Sequence, residues 1–243
     1  MWYRGLRPAK CSCNVLALIS QTVALATKNS FDGIVLDLEV SALPFDSLIK
    51  QITEFNNLLS TATKQHKLRY TVMLYGDVFY RLRPFDVKAI SASADRVMVM
   101  AYDFSKAGSN PGPDFPLSGQ DIFGYDYARM TGDFLKSVPK EKLAVAFGMF
   151  GYDWPVGQDK KASGSAVAVT TKEAMDKFVT LCKQKTCDWK NTIEAQEIEV
   201  AYTASDDTKH IVWFESTNSG KLKKDYLKQR GISQFAYWAN SYF

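Results

Sequence analysis

The sequence predicts an α/β fold built on a parallel sheet, and three observations carry that expectation. Its 243 residues suit one TIM-type barrel or one large α/β domain. Past residue 30, short apolar runs alternate with segments of helical periodicity, the pattern of parallel strands joined by crossover helices. With 46% hydrophobic and 23% charged residues, the chain has the composition of an ordinary globular protein with material for a sizeable core.

At the N-terminus, Arg4, Arg7 and Lys10 precede a partly apolar stretch, 15–26, that ends in Ala24-Leu25-Ala26 and mimics a secretory signal. Ser20, Gln21 and Thr22 interrupt it, while Val15, Leu16, Ile19, Val23 and Ala26 recur at helical spacing. An amphipathic helix is the expectation. A strand follows over 34–40, then a helix over 44–66 with apolar positions at Phe45, Leu48, Ile49, Ile52, Phe55 and Leu59. Further strands are predicted at 69–75, 96–102, 142–150 and 232–238, and helices near 87–92, 125–138 and 222–230. A Gly/Pro-rich loop spans 108–119. The rhythm breaks over 151–216, where a polar loop, a helix near 172–185 and two antiparallel strands (197–203, 210–214) suggest a small α+β insertion. That leaves five core strands. A closed barrel of this kind has eight.

The bulk numbers also exclude some functions. A net charge of +4 without clustered Lys/Arg runs argues against a nucleic-acid binder. No apolar run reaches the roughly 18 residues that span a membrane. The four cysteines, Cys11, Cys13, Cys182 and Cys187, fit no zinc pattern, because neither histidine lies near them. Cys182 and Cys187 form a disulfide in an oxidising compartment and stay reduced otherwise. His66 and His210 stand in polar surroundings and read as surface residues, so neither a Ser-His-Asp site nor a metal site is expected.

The segment that points to chemistry is Phe31-Asp32-Gly33-Ile34-Val35-Leu36-Asp37-Leu38-Glu39. Alternation puts Ile34, Leu36 and Leu38 on one face of a strand and Val35, Asp37 and Glu39 on the other. Two carboxylates on one face of an apolar strand are costly to bury without purpose. Their crowding and desolvation keep a proton available near neutral pH. The plain alternative is a strand end whose acids reach solvent.

These residues resemble the D-G-x-D-x-D-x-E signature of glycoside hydrolase family 18, the chitinases and their relatives. Asp32, Gly33, Asp37 and Glu39 match; Val35 departs, where the family carries Asp or Asn. Met98-Val99-Met100-Ala101-Tyr102-Asp103 is similar to the M-x-Y-D that ends the family's sixth strand, and Phe150-Gly151-Tyr152-Asp153-Trp154 to the Y-G-Y-D-W after its seventh. Val212-Trp213-Phe214-Glu215 and the strand ending at Trp238 fit as well, so the matches run in family order over residues 12–240. The branch most alike holds di-N-acetylchitobiase and the bacterial spore-cortex and cell-wall glucosaminidases.

The resemblance implies a (β/α)8 TIM-type barrel of which this chain holds about strands 4–8, as one partial catalytic domain over 1–243 with 151–216 inserted. It implies retaining hydrolysis of β-linked N-acetylglucosamine, in chitin oligosaccharides or peptidoglycan, by substrate-assisted catalysis. Glu39 would be the acid, Asp37 would orient the acetamido N–H, and Tyr102 would bond the acetamido oxygen. Trp238 would floor the sugar ring, while Met100, Asp103, Tyr152 and Asp153 complete the candidate substrate contacts. Tyr102 and Trp238 also suit plain core positions. No cofactor and no metal are implied, and a secreted, lysosomal or cell-wall location is. Family lectins lack the acid that Glu39 supplies, so hydrolysis is favoured over sugar binding alone. Val35 removes a polar partner of Asp37 and predicts reduced turnover. Absence of the first three strands predicts unpaired edges and a truncated chain of doubtful activity.

Overall fold

The computed structural model describes residues 14–40, 42–180 and 187–242 and contains two five-stranded sheets. In the first, β1 (Gly33–Asp37), β2 (Arg69–Tyr75), β3 (Arg96–Ala101), β4 (Leu143–Gly148) and β10 (Gln234–Trp238) lie parallel in the order β1-β2-β3-β4-β10. In the second, β5 (Phe150–Val156), β6 (Val167–Thr170), β7 (Asp188–Asn191), β8 (Ile198–Thr203) and β9 (Lys209–Phe214) run antiparallel in the order β6-β5-β9-β8-β7. The parallel sheet is a half-barrel.

Alternation decides which face of the half-barrel is core. Leu36 and Leu38, Tyr70, Val72 and Leu74, and Val97 and Val99 pack outward. They meet helices α1 (Val15–Lys28), α2 (Asp46–Gln65), α3 (Val87–Ser93), α5 (Tyr127–Leu135) and α7 (Thr217–Gln229) in one apolar layer. Each fully buried aliphatic side chain there contributes about 1.5–3 kcal/mol. In α1 the buried residues are Ile19, Val23 and Ala26, one stripe of the expected amphipathic helix, and Asn14 caps it by accepting the Ala17 N–H at 3.2 Å. Asp126 caps α5 in the same way through Arg129 N–H at 2.8 Å. Among the described residues, no helix is long and apolar enough to cross a membrane.

The inner face carries the other set. Because β1 and β10 are the sheet's edges, their inner residues are poorly covered: Val35 is 57% and Trp238 47% exposed. Strand β4, flanked by β3 and β10, is buried throughout, with the small residues Ala144, Ala146 and Gly148 on its inner side.

The antiparallel sheet departs most from expectation. β8 and β9 occur where two strands were predicted, but the stretch read as a polar loop opens with β5, a strand paired on both sides. Gly151, Asp153 and Pro155 disguise it, since all three are poor strand formers. Pro155 lies past the last β5–β6 pair, at Asp153; it pairs with His210 of β9, and its carbonyl accepts the Ser163 N–H at 2.9 Å. Gly151 is required by close approach, because a Cβ there would stand 1.9 Å from the Trp213 carbonyl oxygen. The helix expected near 172–185 begins as α6 (Thr171–Ala174) and continues as a π-helical segment over Met175–Thr180. Residues 181–186 lie outside the described residues. The helix expected at 125–138 appears as the shorter α5, and a separate four-residue helix, α4 (Gln120–Phe123), precedes it. Cys187 is disulfide-bonded; Cys11, Cys13 and Cys182 lie outside the described residues.

Candidate active site

Parallel pairing lines up the inner faces of neighbouring strands. Asp37 pairs with Met73, Met73 with Met98 and Met98 with Ala144. One step along, Tyr75 pairs with Met100 and Met100 with Ala146. Glu39, two residues beyond the end of β1, comes level with Tyr75, whose hydroxyl donates to Glu39 Oε2 at 3.5 Å. Beyond β3 the chain turns sharply at Asp103, whose φ of 58° is left-handed. The resulting cleft, about 90 Å³, is lined by Glu39, Tyr75, Met100, Tyr102, Asp103 and Lys106, among others. A wider groove of about 440 Å³ between α2 and the start of α3 is lined by Asp46, Lys50, Glu54 and Asp86 among others, and it lies away from this chemistry.

The electrostatics of the cleft favour a retained proton. Partial burial pushes the Glu39 carboxyl above its ordinary range, and the negative charges of Asp37 and Asp103 push it further. The Tyr75 hydrogen bond and the Lys106 ammonium oppose this. Desolvation also raises Asp37. Burial first, then Asp37 and Glu39, raise the Tyr102 phenol, so Tyr102 remains a hydrogen-bond donor across ordinary pH. Arg83 lies 3.8 Å over the Tyr75 ring and, with Arg81, is spent on Asp77, at 3.1 and 2.5 Å respectively. Lys106 is exposed at the rim. Among the described residues no group of three or more His, Cys, Asp or Glu is arranged to hold a metal ion.

The structure thus brings Glu39, Met100, Tyr102 and Asp103 to one cleft, with Asp37 close enough to act on Glu39 by its charge. Tyr152 joins through Asp103, donating its hydroxyl to Oδ1 at 2.6 Å. Trp238 ends β10, paired with Gly148 and two strands from β3, outside the cleft lining. Asp153 is not brought to the cleft. Its carboxylate accepts the Tyr202 hydroxyl at 2.7 Å and meets His210 Nδ1 at 2.8 Å, because alternation along β5 turns it away from Tyr152. His210 is therefore not a free surface residue: its side chain is 19% exposed and its ring stacks on Tyr202. Cover around the acids is one-sided, since among the described residues β1 has no strand on its outer edge.

Sequence reading missed Tyr75, Arg83 and Lys106. Tyr75 was within reach, because Thr71, Met73 and Tyr75 alternate along β2 as Val35 and Asp37 do along β1. A second acid cluster was also missed, and nothing local signals it. Lys223, fully buried on α7, bonds Glu197 at 2.6 Å and also Glu215. Glu197 in turn accepts the backbone N–H groups of Asp114 at 2.7 Å and Phe115 at 2.9 Å.

A family model described as glycosyl hydrolases family 18 matches residues 13–242. YdhD of Bacillus subtilis (strain 168), a protein named as a sporulation-specific glycosylase, is 22% identical over 223 residues, which is 91% of this chain and 50% of YdhD. The cortical fragment-lytic enzyme of Bacillus anthracis is 25% identical over 154 residues, 63% of this chain and 33% of that protein. The crystal structure of YdhD superposes with a TM-score of 0.79 at 21% identity, covering 94% of this chain and 71% of that one. At that identity the likeness establishes the fold. The chain spans half or less of the length of these curated relatives.

Proposed function

The chain belongs to glycosyl hydrolases family 18, and on that premise we propose that it hydrolyses β-linked N-acetylglucosamine in chitin oligosaccharides or peptidoglycan, with Glu39 as general acid. The observation that carries this reading is the placement of Asp37 and Glu39 on one inner face, with Glu39 held above its ordinary range by burial and by its acidic neighbours. In this reading β1, β2, β3, β4 and β10 are strands 4–8 of a (β/α)8 barrel, and residues 151–216 are an insertion within one catalytic domain. The relatives' names, a sporulation glycosylase and a cortical fragment-lytic enzyme, favour a cell-wall or extracellular setting.

The chemistry follows from the groups present. The substrate's acetamido carbonyl oxygen attacks C1, the bond from C1 to the leaving sugar breaks, and Glu39 gives its proton to the departing oxygen. Asp37 accepts the acetamido N–H, and the protonated Tyr102 phenol donates to the acetamido oxygen. Water then attacks C1 of the cyclic intermediate and returns a proton to Glu39, with anomeric configuration retained. Positioned general acids of this kind contribute about 10²–10⁴-fold. On chromogenic N-acetylglucosamine oligomers, Glu39→Gln should lose turnover by about that factor, and NMR of the first product should show the β anomer. Undiminished turnover by the variant, or an inverted product, refutes the assignment.

One observation favours a second reading, a glycan-binding domain without turnover. The open β1 edge leaves Val35 exposed beside Asp37, where water competes for the acid's proton. Oligomer binding by calorimetry, with no product released, distinguishes it.

A further inference from the structure

Asp114 connects the two acid clusters. It is 2% exposed, and its Oδ1 accepts the backbone N–H of Asp103 at 2.8 Å. Asp103 is the residue with the left-handed turn, a conformation aspartate tolerates better than most side chains, and the Asp114 bond holds its N–H in that turn. Its carboxylate takes the Tyr152 hydroxyl and presses on Glu39. The other oxygen of Asp114, Oδ2, is buried without a hydrogen-bond partner among the described residues. It occupies space that Gly148 leaves free, since a Cβ there would lie 2.7 Å away.

The charged and titratable groups facing Asp114 are Asp103 on its own loop, Glu197 just before β8, Lys223 on α7 and the phenols Tyr102, Tyr127 and Tyr152. Lys223 is already bonded to Glu197 and Glu215. A third anion there has no cation of its own, and burial strongly disfavours a charged carboxylate with one oxygen unsatisfied. A neutral carboxylic acid still offers the carbonyl oxygen that Asp103 N–H requires.

We propose that Asp114 is a positioning residue that keeps its proton at neutral pH, clamps the Asp103 turn as an uncharged acceptor, and through Asp103 sets the protonation of Glu39. The inference rests on the reading of Glu39 as the acid, but its test reads protons and amides and needs no substrate. Failure of hydrolysis would therefore sink the proposed function and leave this test intact.

The experiment is carboxyl-carbon and amide NMR on the whole chain and on Asp114→Asn and Asp114→Leu. Asparagine keeps a neutral acceptor; leucine has none. The Asp114 carboxyl carbon should report the protonated form at pH 7. Exchange of the Asp103 amide should be unchanged in Asp114→Asn and about tenfold faster in Asp114→Leu, the loss of one hydrogen bond. The Glu39 midpoint should stay in place in Asp114→Asn and fall in Asp114→Leu, where the released Asp103 carboxylate no longer presses on it. An ionised Asp114 at pH 7, or one Glu39 midpoint common to all three proteins, overturns the proposal. Should Asp114→Leu fail to fold, the wild type decides. Its Asp103 amide resonance must move in step with Asp114 ionisation as pH is raised, and an amide indifferent to it overturns the clamp.

Discussion

The chain holds two groups of carboxylates that differ in what surrounds them. Asp37 and Glu39 stand on the inner face of an edge strand, exposed on one side, with a lysine only at the rim. Glu197, Glu215 and Asp114 lie wholly inside, between the half-barrel and the antiparallel sheet, around a lysine with no exposed surface. The same chemical group is therefore an adjustable proton donor in one place and a structural joint in the other. What separates them is solvent access, which sets both the cost of a charge and the freedom to exchange a proton.

The sharpest way to break that contrast is to remove one member of each group. Lys223→Met leaves Glu197 and Glu215 buried without their cation, and should cost about 3–5 kcal/mol in urea unfolding. Asp37→Asn should change stability by less than about 0.5 kcal/mol, as a half-open position does. Equal losses from the two substitutions would erase the distinction.

A subtler separation lies in pH. Burial raises the Glu215 carboxyl from an ordinary 4.5 to about 7, outweighing the attraction of Lys223. A raised folded-state value means that the folded protein holds the proton more tightly than the unfolded chain. The resulting stability is complete below the unfolded value and is lost as pH rises through the folded one. Melting temperature should therefore fall between about pH 4.5 and pH 7, by about 2–4 °C for each kcal/mol lost, and Glu215→Gln should flatten that slope. A slope unchanged in the variant would place its origin elsewhere.

The two groups also differ in how far they can be read from sequence. Asp37 and Glu39 are legible because strand alternation is local: Leu36 and Leu38 pack outward, so their neighbours must face inward. Helical spacing, equally local, yields α1 from Ile19, Val23 and Ala26, and the apolar runs yield the parallel sheet. The buried cluster obeys no local rule. Its contacts join residues 83 apart, in Asp114 and Glu197, and 26 apart, in Glu197 and Lys223. Lys223 sits in a polar helix that periodicity assigns to the surface. β5 was hidden for a related reason, since Gly151 and Pro155 oppose a strand by propensity and are overruled by pairing with β9 and, at Gly151, with β6 as well. Asp153 shows the limit of motif reading. Its neighbour Tyr152 does face the cleft through Asp103, but the motif does not say that Tyr202 and His210 claim the adjacent carboxylate.

Val35 tests whether the open group can be tuned from its own strand. It shares an inner face with Asp37 and is 57% exposed, so a polar side chain fits there without disturbing the core. Val35→Asn gives Asp37 a hydrogen-bonding neighbour, and one such bond changes turnover by about two- to tenfold. Turnover should rise while stability remains level. No gain would mean that Asp37 does not need a partner on β1.

The smallest effect should come from Tyr75, at the point where the cleft restrains Glu39 most directly. Its hydroxyl donates to Glu39 Oε2 at 3.5 Å, the outer limit of a hydrogen bond, and stabilises the charged carboxylate, lowering Glu39 against the stronger push of burial, Asp37 and Asp103. Hydrolysis needs the protonated acid, so activity is lost as pH rises through the Glu39 midpoint. Tyr75→Phe removes a stabiliser of the anion, leaves the ring under Arg83, and should move the alkaline limb of kcat upward, with less than about a threefold change in kcat on the plateau. A downward move would mean that Tyr75 stabilises the protonated form and works with burial, Asp37 and Asp103 to keep the proton on Glu39. The buried cluster offers a matched control: Tyr127, whose hydroxyl donates to the Ala101 carbonyl at 3.3 Å, faces Asp114, Glu197 and Glu215 but not Glu39. Tyr127→Phe should lower stability and leave the alkaline limb where it is.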